Sequence, residues 1–177
     1  MKTPATLGVK VSSLDDLFIL LQGESAVARS FAWVEAYQDT DLPLPRRQSA
    51  HSAGYDIAAV ESCTVEPGCI VLVPTGLKVY MHEDDVVLLS LRSSLAHREA
   101  LMMPNGIGVI DADYADNPAN EGHINVMLMN AGSEPVFIAR GQRIAQAVFI
   151  TWQRTDDDED APQRQGGFGS TGISSRL

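Results

Sequence analysis

An all-β fold, an antiparallel sandwich or barrel, is what the sequence predicts, on three observations. Short aliphatic or β-branched runs recur between residues 31 and 150. Turn signals separate them: Pro67-Gly68, Pro74-Thr75, Asp84-Asp85, Asn105-Gly106 and Gly132-Ser133. Apolar residues make up 45% of the 177-residue chain, enough for one domain with its own core. Many short strands at this spacing are the mark of a sandwich or barrel.

Residues 1–30 read as an extension. Leu14, Leu17, Phe18, Leu20 and Leu21 recur at near-helical spacing, and Ser13, Asp15 and Asp16 suit a helix start. A short amphipathic helix is expected over 14–22, packed on the body or on a partner subunit. The β domain follows over 31–152. Its strands are expected at 55–59, 69–73, 76–81, 86–91, 108–110, 124–129, 136–138 and 145–150, with a short helix near 93–98. Asn105-Gly106 is the strongest hairpin signal, because both residues tolerate positive φ. Residues 153–163 form an acidic tether, with Pro162 and no apolar residue beyond Ala161. About eleven extended residues reach ~35 Å, far enough to serve a site on a neighbouring subunit. Residues 164–177 are a Gly-rich arm, expected to be largely mobile without ligand.

Charge narrows the function. The net charge is −10, and the run 156–160 carries five acidic residues. General nucleic-acid binding needs a basic surface, so it is not expected. A polyphosphate ligand needs a local cluster of donors and a divalent cation to offset repulsion. No apolar stretch approaches the ~20 residues of a membrane span. Met1-Lys2-Thr3-Pro4 leads into no apolar run with a cleavage site, so a cytoplasmic protein is expected. Cys63 and Cys69 flank the turn Glu66-Pro67-Gly68 and are expected as buried free thiols. His51, His82, His97 and His123 show no ligand spacing and read as surface or packing residues. Met102, Met103, Met127 and Met129 read as core or interface filler.

Five clusters carry chemistry. Ser52-Ala53-Gly54-Tyr55-Asp56 places an aspartate at a strand start. Arg92-Ser93-Ser94-Leu95, where a strand yields to a turn or helix, offers a guanidinium fork, two hydroxyls and free helix amides to an anion; an ordinary helix cap fits it too. Asn105 to Tyr114 joins a turn with exposed backbone groups to a carboxylate, Asp111, that ends an apolar strand. Such a carboxylate can orient and deprotonate a water. Arg140-Gly141-Gln142-Arg143-Ile144-Ala145-Gln146 sets Gln146 at the start of a buried strand. Arg164-Gln165-Gly166-Gly167-Phe168-Gly169-Ser170-Thr171-Gly172 surrounds one aromatic ring with glycines, hydroxyls and an arginine. Glycine allows close backbone approach, and the donors suit phosphate oxygens. On composition alone a flexible terminus fits as well.

Taken in this order and spacing, the clusters resemble the five motifs of the trimeric deoxyuridine triphosphatase (dUTPase) family: A-G-x-D, R-S-x-L, G-x-I-D-x-D-Y, G-x-R-I-A-Q and G-G-F-G-S-T-G. The resemblance covers about residues 31–172. It implies a distorted jelly roll (β-clip), a homotrimer with shared active sites, and Mg²⁺-dependent hydrolysis of dUTP to dUMP and pyrophosphate. That activity limits uracil incorporation into DNA and supplies dUMP for dTMP synthesis.

The resemblance also implies roles. Asp111 is the general base. Tyr114 stacks on deoxyribose. Asn105, Gly108 and Ile110 belong to the uracil pocket. Arg92, Ser93, Ser94 and Gln146 meet phosphates. Asp56 touches the metal only through water, since Mg²⁺ is held mainly by substrate phosphates and water. Arg164, Phe168, Gly169, Ser170 and Thr171 form the closing arm. Three departures stand out: Arg164 lies two residues before Gly166 rather than three, Ser94 replaces glycine, and 115–122 lengthens the loop after Tyr114. Residues 1–30 and 115–122 invite a regulatory protein partner, and a module that senses dUTP without turnover is one rival reading. A dCTP deaminase of the same superfamily is another; the pairing of Asp111 with Tyr114 and the full Phe168 tail argue against it.

Overall fold

Alternation of buried and exposed residues along short strands builds two main antiparallel sheets in the computed structural model, which describes residues 29–157. The strands are β1 (Ser30–Trp33), β2 (Tyr55–Ala58), β3 (Cys63–Val65), β4 (Ile70–Pro74), β5 (Leu77–Tyr80) and β6 (Asp85–Leu91). After helix α1 (Ser93–Glu99) come β7 (Leu101–Met102), β8 (Gly108–Asp111), β9 (Asn125–Asn130), β10 (Val136–Ile138) and β11 (Arg143–Thr151). A four-stranded sheet runs β2-β11-β6-β8 and a three-stranded sheet runs β4-β9-β7; β1 pairs with β5, and β10 with β3. The result is an all-β, jelly-roll-like fold.

One core joins these layers. Ile57, Val87, Leu89, Ile110, Ala145 and Ala147 supply the inner face of the four-stranded sheet, and Val73, Val126 and Leu128 that of the three-stranded sheet. Their period of two puts every other residue outward. Asn130 ends β9 in full burial, yet it is saturated: its amide donates to the carbonyls of Val65 and Glu134, and its oxygen accepts from the Gly132 N–H, each at 2.8 Å. That satisfies the rule that buried polar groups need partners.

The chain enters the body through an ion pair with a buried carboxylate and a half-exposed guanidinium. Asp85, at the start of β6, is 1% exposed on its side chain. It accepts two bonds from the Arg29 guanidinium, at 2.5 and 2.9 Å, and one from the Thr151 hydroxyl. The Arg29 bonds hold the Asp85 carboxyl below the usual carboxylate range.

Several expectations change. β1 starts at Ser30, one residue ahead of the expected domain boundary, and β3 and β7 were not foreseen. β11 begins at Arg143, with an irregular register between Arg143 and Ala145. Asn105-Gly106 does not close a hairpin: β7 pairs with β9, while β8 pairs with β6. Only Gly106 takes positive φ there (72°), following a turn in which its N–H meets the Met103 carbonyl. Pro104 explains this, since its fixed φ suits the second position of that turn. Both cysteines are free, but Cys69 is exposed and Cys63 half-buried, so they are not the buried pair expected. The expected helix at 14–22, residues 158–163 of the tether and the arm lie outside the described residues.

Candidate active site

One face of the four-stranded sheet carries the candidate chemistry at its two ends. Register aligns Asp56 of β2 with Gln146 of β11, and Gln146 with Ser90 of β6. At the other end Asp111 of β8 is level with Val86, which is level with Ile150. All six side chains project away from the core, because their neighbours Ile57, Ala145, Ala147, Val87, Leu89 and Ile110 fill it.

Asp56 organises the first end. Its side chain is 2% exposed, a costly place for a charge without partners. Arg143 Nη1 donates to it at 2.9 Å and Gln146 Nε2 at 3.3 Å, while Arg92 Nε lies 3.4 Å away. The carboxylate thus holds two guanidiniums and an amide in one cluster. Gly54 lets Gln146 in: a Cβ there would stand 3.3 Å from Gln146 Cβ. Arg92 leads directly into α1, and its backbone carbonyl accepts from the Leu95 and Ala96 N–H groups. Those two amides serve the helix, so the anion-binding donors left are Arg92 and the exposed Ser93 and Ser94. Arg143 belongs to the fourth cluster, and its place on Asp56 follows from the register irregularity that opens β11, which periodicity does not reveal.

Asp111 is half-buried at the end of β8 and opens the 3-10 turn Ala112–Tyr114. Tyr114 packs its ring against the core. Asn105 is exposed and its amide donates to the Ile107 carbonyl at 3.1 Å. Gly108 sits where a Cβ would come within 3.1 Å of Leu89 Cβ. Ile110 has its side chain in the core, which leaves its backbone for a ligand. Arg164, Phe168, Gly169, Ser170 and Thr171 lie outside the described residues.

From the Asp111 end toward the cluster runs an apolar band of Val86, Ile150, Leu88, Val109 and Val148, of which Val109 is 58% exposed. Four residues of β6 separate the Asp111 level from the Ser90 level, or about 13 Å. Asp111 and the Asp56–Arg92–Gln146 cluster are therefore too far apart to grip one phosphate group within a single protomer.

His123, read as a packing residue, is a wedge. Its Nε2 accepts the Gly76 N–H at 2.9 Å, and its ring tilts against Tyr37 with centroids 5.6 Å apart. Burial pushes its pKa below the usual imidazole range, against the opposing pull of the Glu121 and Glu61 carboxylates. The unfolded chain then takes up this proton first, so His123 adds stability that is complete above about pH 6.5 and is lost as pH falls through the lower folded-state pKa. We predict a lower urea midpoint at pH 5.5 than at pH 7.5, with a smaller drop in His123→Gln; equal drops in both proteins would refute the assignment.

Among the described residues no three His, Cys, Asp or Glu side chains gather as a metal site, and no helix is long and apolar enough to cross a membrane.

Comparisons with known proteins agree with this fold. The dUTPase family profile matches residues 40–172. The chain is 44% identical over 146 residues to the deoxyuridine 5'-triphosphate nucleotidohydrolase of Lactococcus lactis, covering 81% of this chain and 97% of the relative. It is 37% identical over 150 residues to the enzyme of that name from Desulfotalea psychrophila, covering 81% and 96%. The crystal structure of the dUTPase from Streptococcus mutans superposes with a TM-score of 0.69 at 42% identity, over 72% of this chain and 99% of that one. A Staphylococcus aureus phage dUTPase shares the fold, with a TM-score of 0.61 at 19% identity, over 76% and 97%. The chain belongs to the dUTPase family and hydrolyses dUTP to dUMP and pyrophosphate.

Proposed function

We propose that each active site joins Asp111 of one protomer to the Asp56–Arg92–Gln146 cluster of a second, with the closing arm of a third, in a homotrimer. The observation that carries this reading is the apolar band separating Asp111 from the cluster on one sheet face. A band of half-exposed aliphatic residues favours burial against another copy. A head-to-tail contact that closes into a ring sets one end of the face on the other end of a neighbour's.

Asp111 orients and deprotonates the water that attacks the α-phosphorus in line, and pyrophosphate leaves. Positioning and charge stabilisation carry most of the rate. Arg92, Ser93, Ser94 and Gln146 bind phosphate oxygens. The backbone around Asn105, Gly108 and Ile110 reads the edge of uracil. Tyr114 lies against deoxyribose and leaves no room for a 2′-hydroxyl. Arg164 reaches the outer phosphates with Ser170 and Thr171, while Phe168 and Gly169 cover the base.

Mg²⁺, when bound, offsets the triphosphate charge. The donor set fits an ion held by substrate phosphates and water. Asp56 already accepts from Arg143 and Gln146 side chains, and its spare lone pairs suit a metal-bound water rather than the ion. We also infer a cytoplasmic setting, and the extension 1–30 as the segment open to a regulatory protein partner.

Solution mass tests the assembly: it is expected at three times the chain mass, and a monomer turning over dUTP at full rate would overturn the shared site. A nucleotide panel followed by pyrophosphate release is expected to favour dUTP over dCTP, dTTP and UTP.

A further inference from the structure

The loop 115–122 has an inward purpose that its length alone does not reveal. Three of its residues adopt positive φ: Asp116 (55°), Glu121 (57°) and Gly122 (79°). Non-glycine residues rarely adopt this conformation, so the loop is held in shape by its bonds. Those bonds converge on Tyr114. Asn120 Nδ2 donates to the Tyr114 hydroxyl at 2.8 Å, and that hydroxyl donates to the His123 carbonyl at 3.1 Å. Asn117, 4% exposed, donates from Nδ2 to the Tyr114 carbonyl at 2.8 Å and to Asn120 Oδ1 at 2.7 Å. Asn120 Oδ1 also accepts the Gly122 N–H at 3.1 Å. A Cβ at Gly122 would stand 2.6 Å from the Tyr114 carbonyl oxygen, so only glycine lets the loop close on it.

The far side of the loop is anchored to the body. Asp116 binds Lys78 and the Tyr80 hydroxyl on β5. Glu121 Oε2 accepts the Glu35 N–H, and His123 accepts the Gly76 N–H. Tyr114 is thus tied at its hydroxyl and at its carbonyl, through two asparagines, to β5 and the turn before it. No part of this frame extends the ligand-facing sheet.

We propose that Asn120 is a positioning residue for substrate selection: by holding the Tyr114 hydroxyl it fixes the ring plane that excludes a 2′-hydroxyl. The inference rests on the reading of Tyr114 given above and adds the device that makes its ring a rigid wall. A steric wall discriminates only as well as it is held in place. A tyrosine ring fixed only at its Cβ end can swing about χ1 and χ2 and yield to an extra oxygen; one fixed at both ends cannot. Packing alone would serve a phenylalanine equally well, so the selection claim rests on the hydroxyl.

The test compares kcat/KM for dUTP and UTP, with Mg²⁺, in the intact protein and in four variants. Asn120→Ala and Tyr114→Phe are each expected to reduce the dUTP:UTP ratio about tenfold, mostly through faster UTP turnover. The double variant is expected to match Tyr114→Phe, which already removes the Asn120 bond together with the bond to the His123 carbonyl. A purely structural role for Asn120 would lower both rates together and leave the ratio alone. Tyr114→Phe removes one oxygen and keeps the ring, so it reads the proposal even where Asn120→Ala fails to fold. A wild-type ratio in Tyr114→Phe, or additive losses in the double variant, overturns the proposal. Tyr114→Ala separates the two layers. Should it abolish selection while Tyr114→Phe does not, the ring is the wall and the Asn120 tether is irrelevant. Should it leave selection intact, the placement of Tyr114 at the sugar fails, and the proposal with it.

Discussion

Asp111→Asn is expected to lose about 10²–10⁴-fold in kcat for dUTP, with KM changed little. Asparagine keeps the shape at the end of β8 and still offers an oxygen to a water, but it cannot take a proton. The 3-10 turn Ala112–Tyr114 starts from the Asp111 backbone, which the substitution leaves untouched. The side chain faces away from the core formed by Ile110 and Val87, so the variant should fold and assemble as the parent does. Single-turnover pyrophosphate release, with thermal melting as the folding control, checks this. A variant within threefold of the parent would remove Asp111 from the chemistry.

Asp56→Ala is expected to damage binding and stability together. It removes the carboxylate that Arg92, Arg143 and Gln146 share. Breaking a buried ion pair from one side costs about 3–5 kcal/mol where the remaining charge stays buried. Here Arg92 and Arg143 are 24% and 46% exposed on their side chains and can rehydrate, so a loss of about 2 kcal/mol is the better figure. Two guanidiniums without their common counterion also repel, and Arg92 swings off its aim. KM for dUTP is therefore expected to rise about tenfold or more, since a charge-assisted bond to phosphate contributes roughly 1.5–3 kcal/mol. Urea denaturation and initial-rate kinetics read the two effects separately. Unchanged KM would show that Arg92 is not aimed by Asp56.

Strands with aliphatic runs were legible because burial on one face writes itself as alternation: β6, β9 and β10 fall where the sequence predicts them, to within a residue. β1, β3 and β7 were not, since a run as short as Leu101–Met102, or one broken by a polar residue such as Thr64, lacks the continuous apolar signal of β10. Asn105-Gly106 misled for a different reason. Local turn chemistry was read correctly as a turn, but whether flanking strands pair with each other is a tertiary matter. Cys69 followed the same logic: its neighbours are apolar, yet it sits on the exposed turn opened by Glu66.

The site was legible as a list of residues and not as an arrangement. Asp56, Arg92, Gln146 and Asp111 all bear chemistry-rich motifs, and register alone separates them into two ends of one face. Arg143, Asn117 and Asn120 escaped because ion pairs and amide networks depend on contacts between distant segments. Ile110 lies inside a motif, and the pleat turns its side chain to the core, so any ligand contact there is made by its backbone.

Mixing two impaired variants tests the shared site most directly. Asp111→Asn and Arg92→Ala, each strongly impaired alone at dUTP well below KM, are unfolded together, refolded at equal amounts and assayed for dUTP hydrolysis under that condition. Sites built from Asp111 of one chain and Arg92 of its neighbour recover about a quarter of parental activity, because one in four random pairings unites two intact groups across a head-to-tail contact. Sites built within single chains recover none, and a refolded mixture that assembles yet stays as impaired as its components would contradict the account.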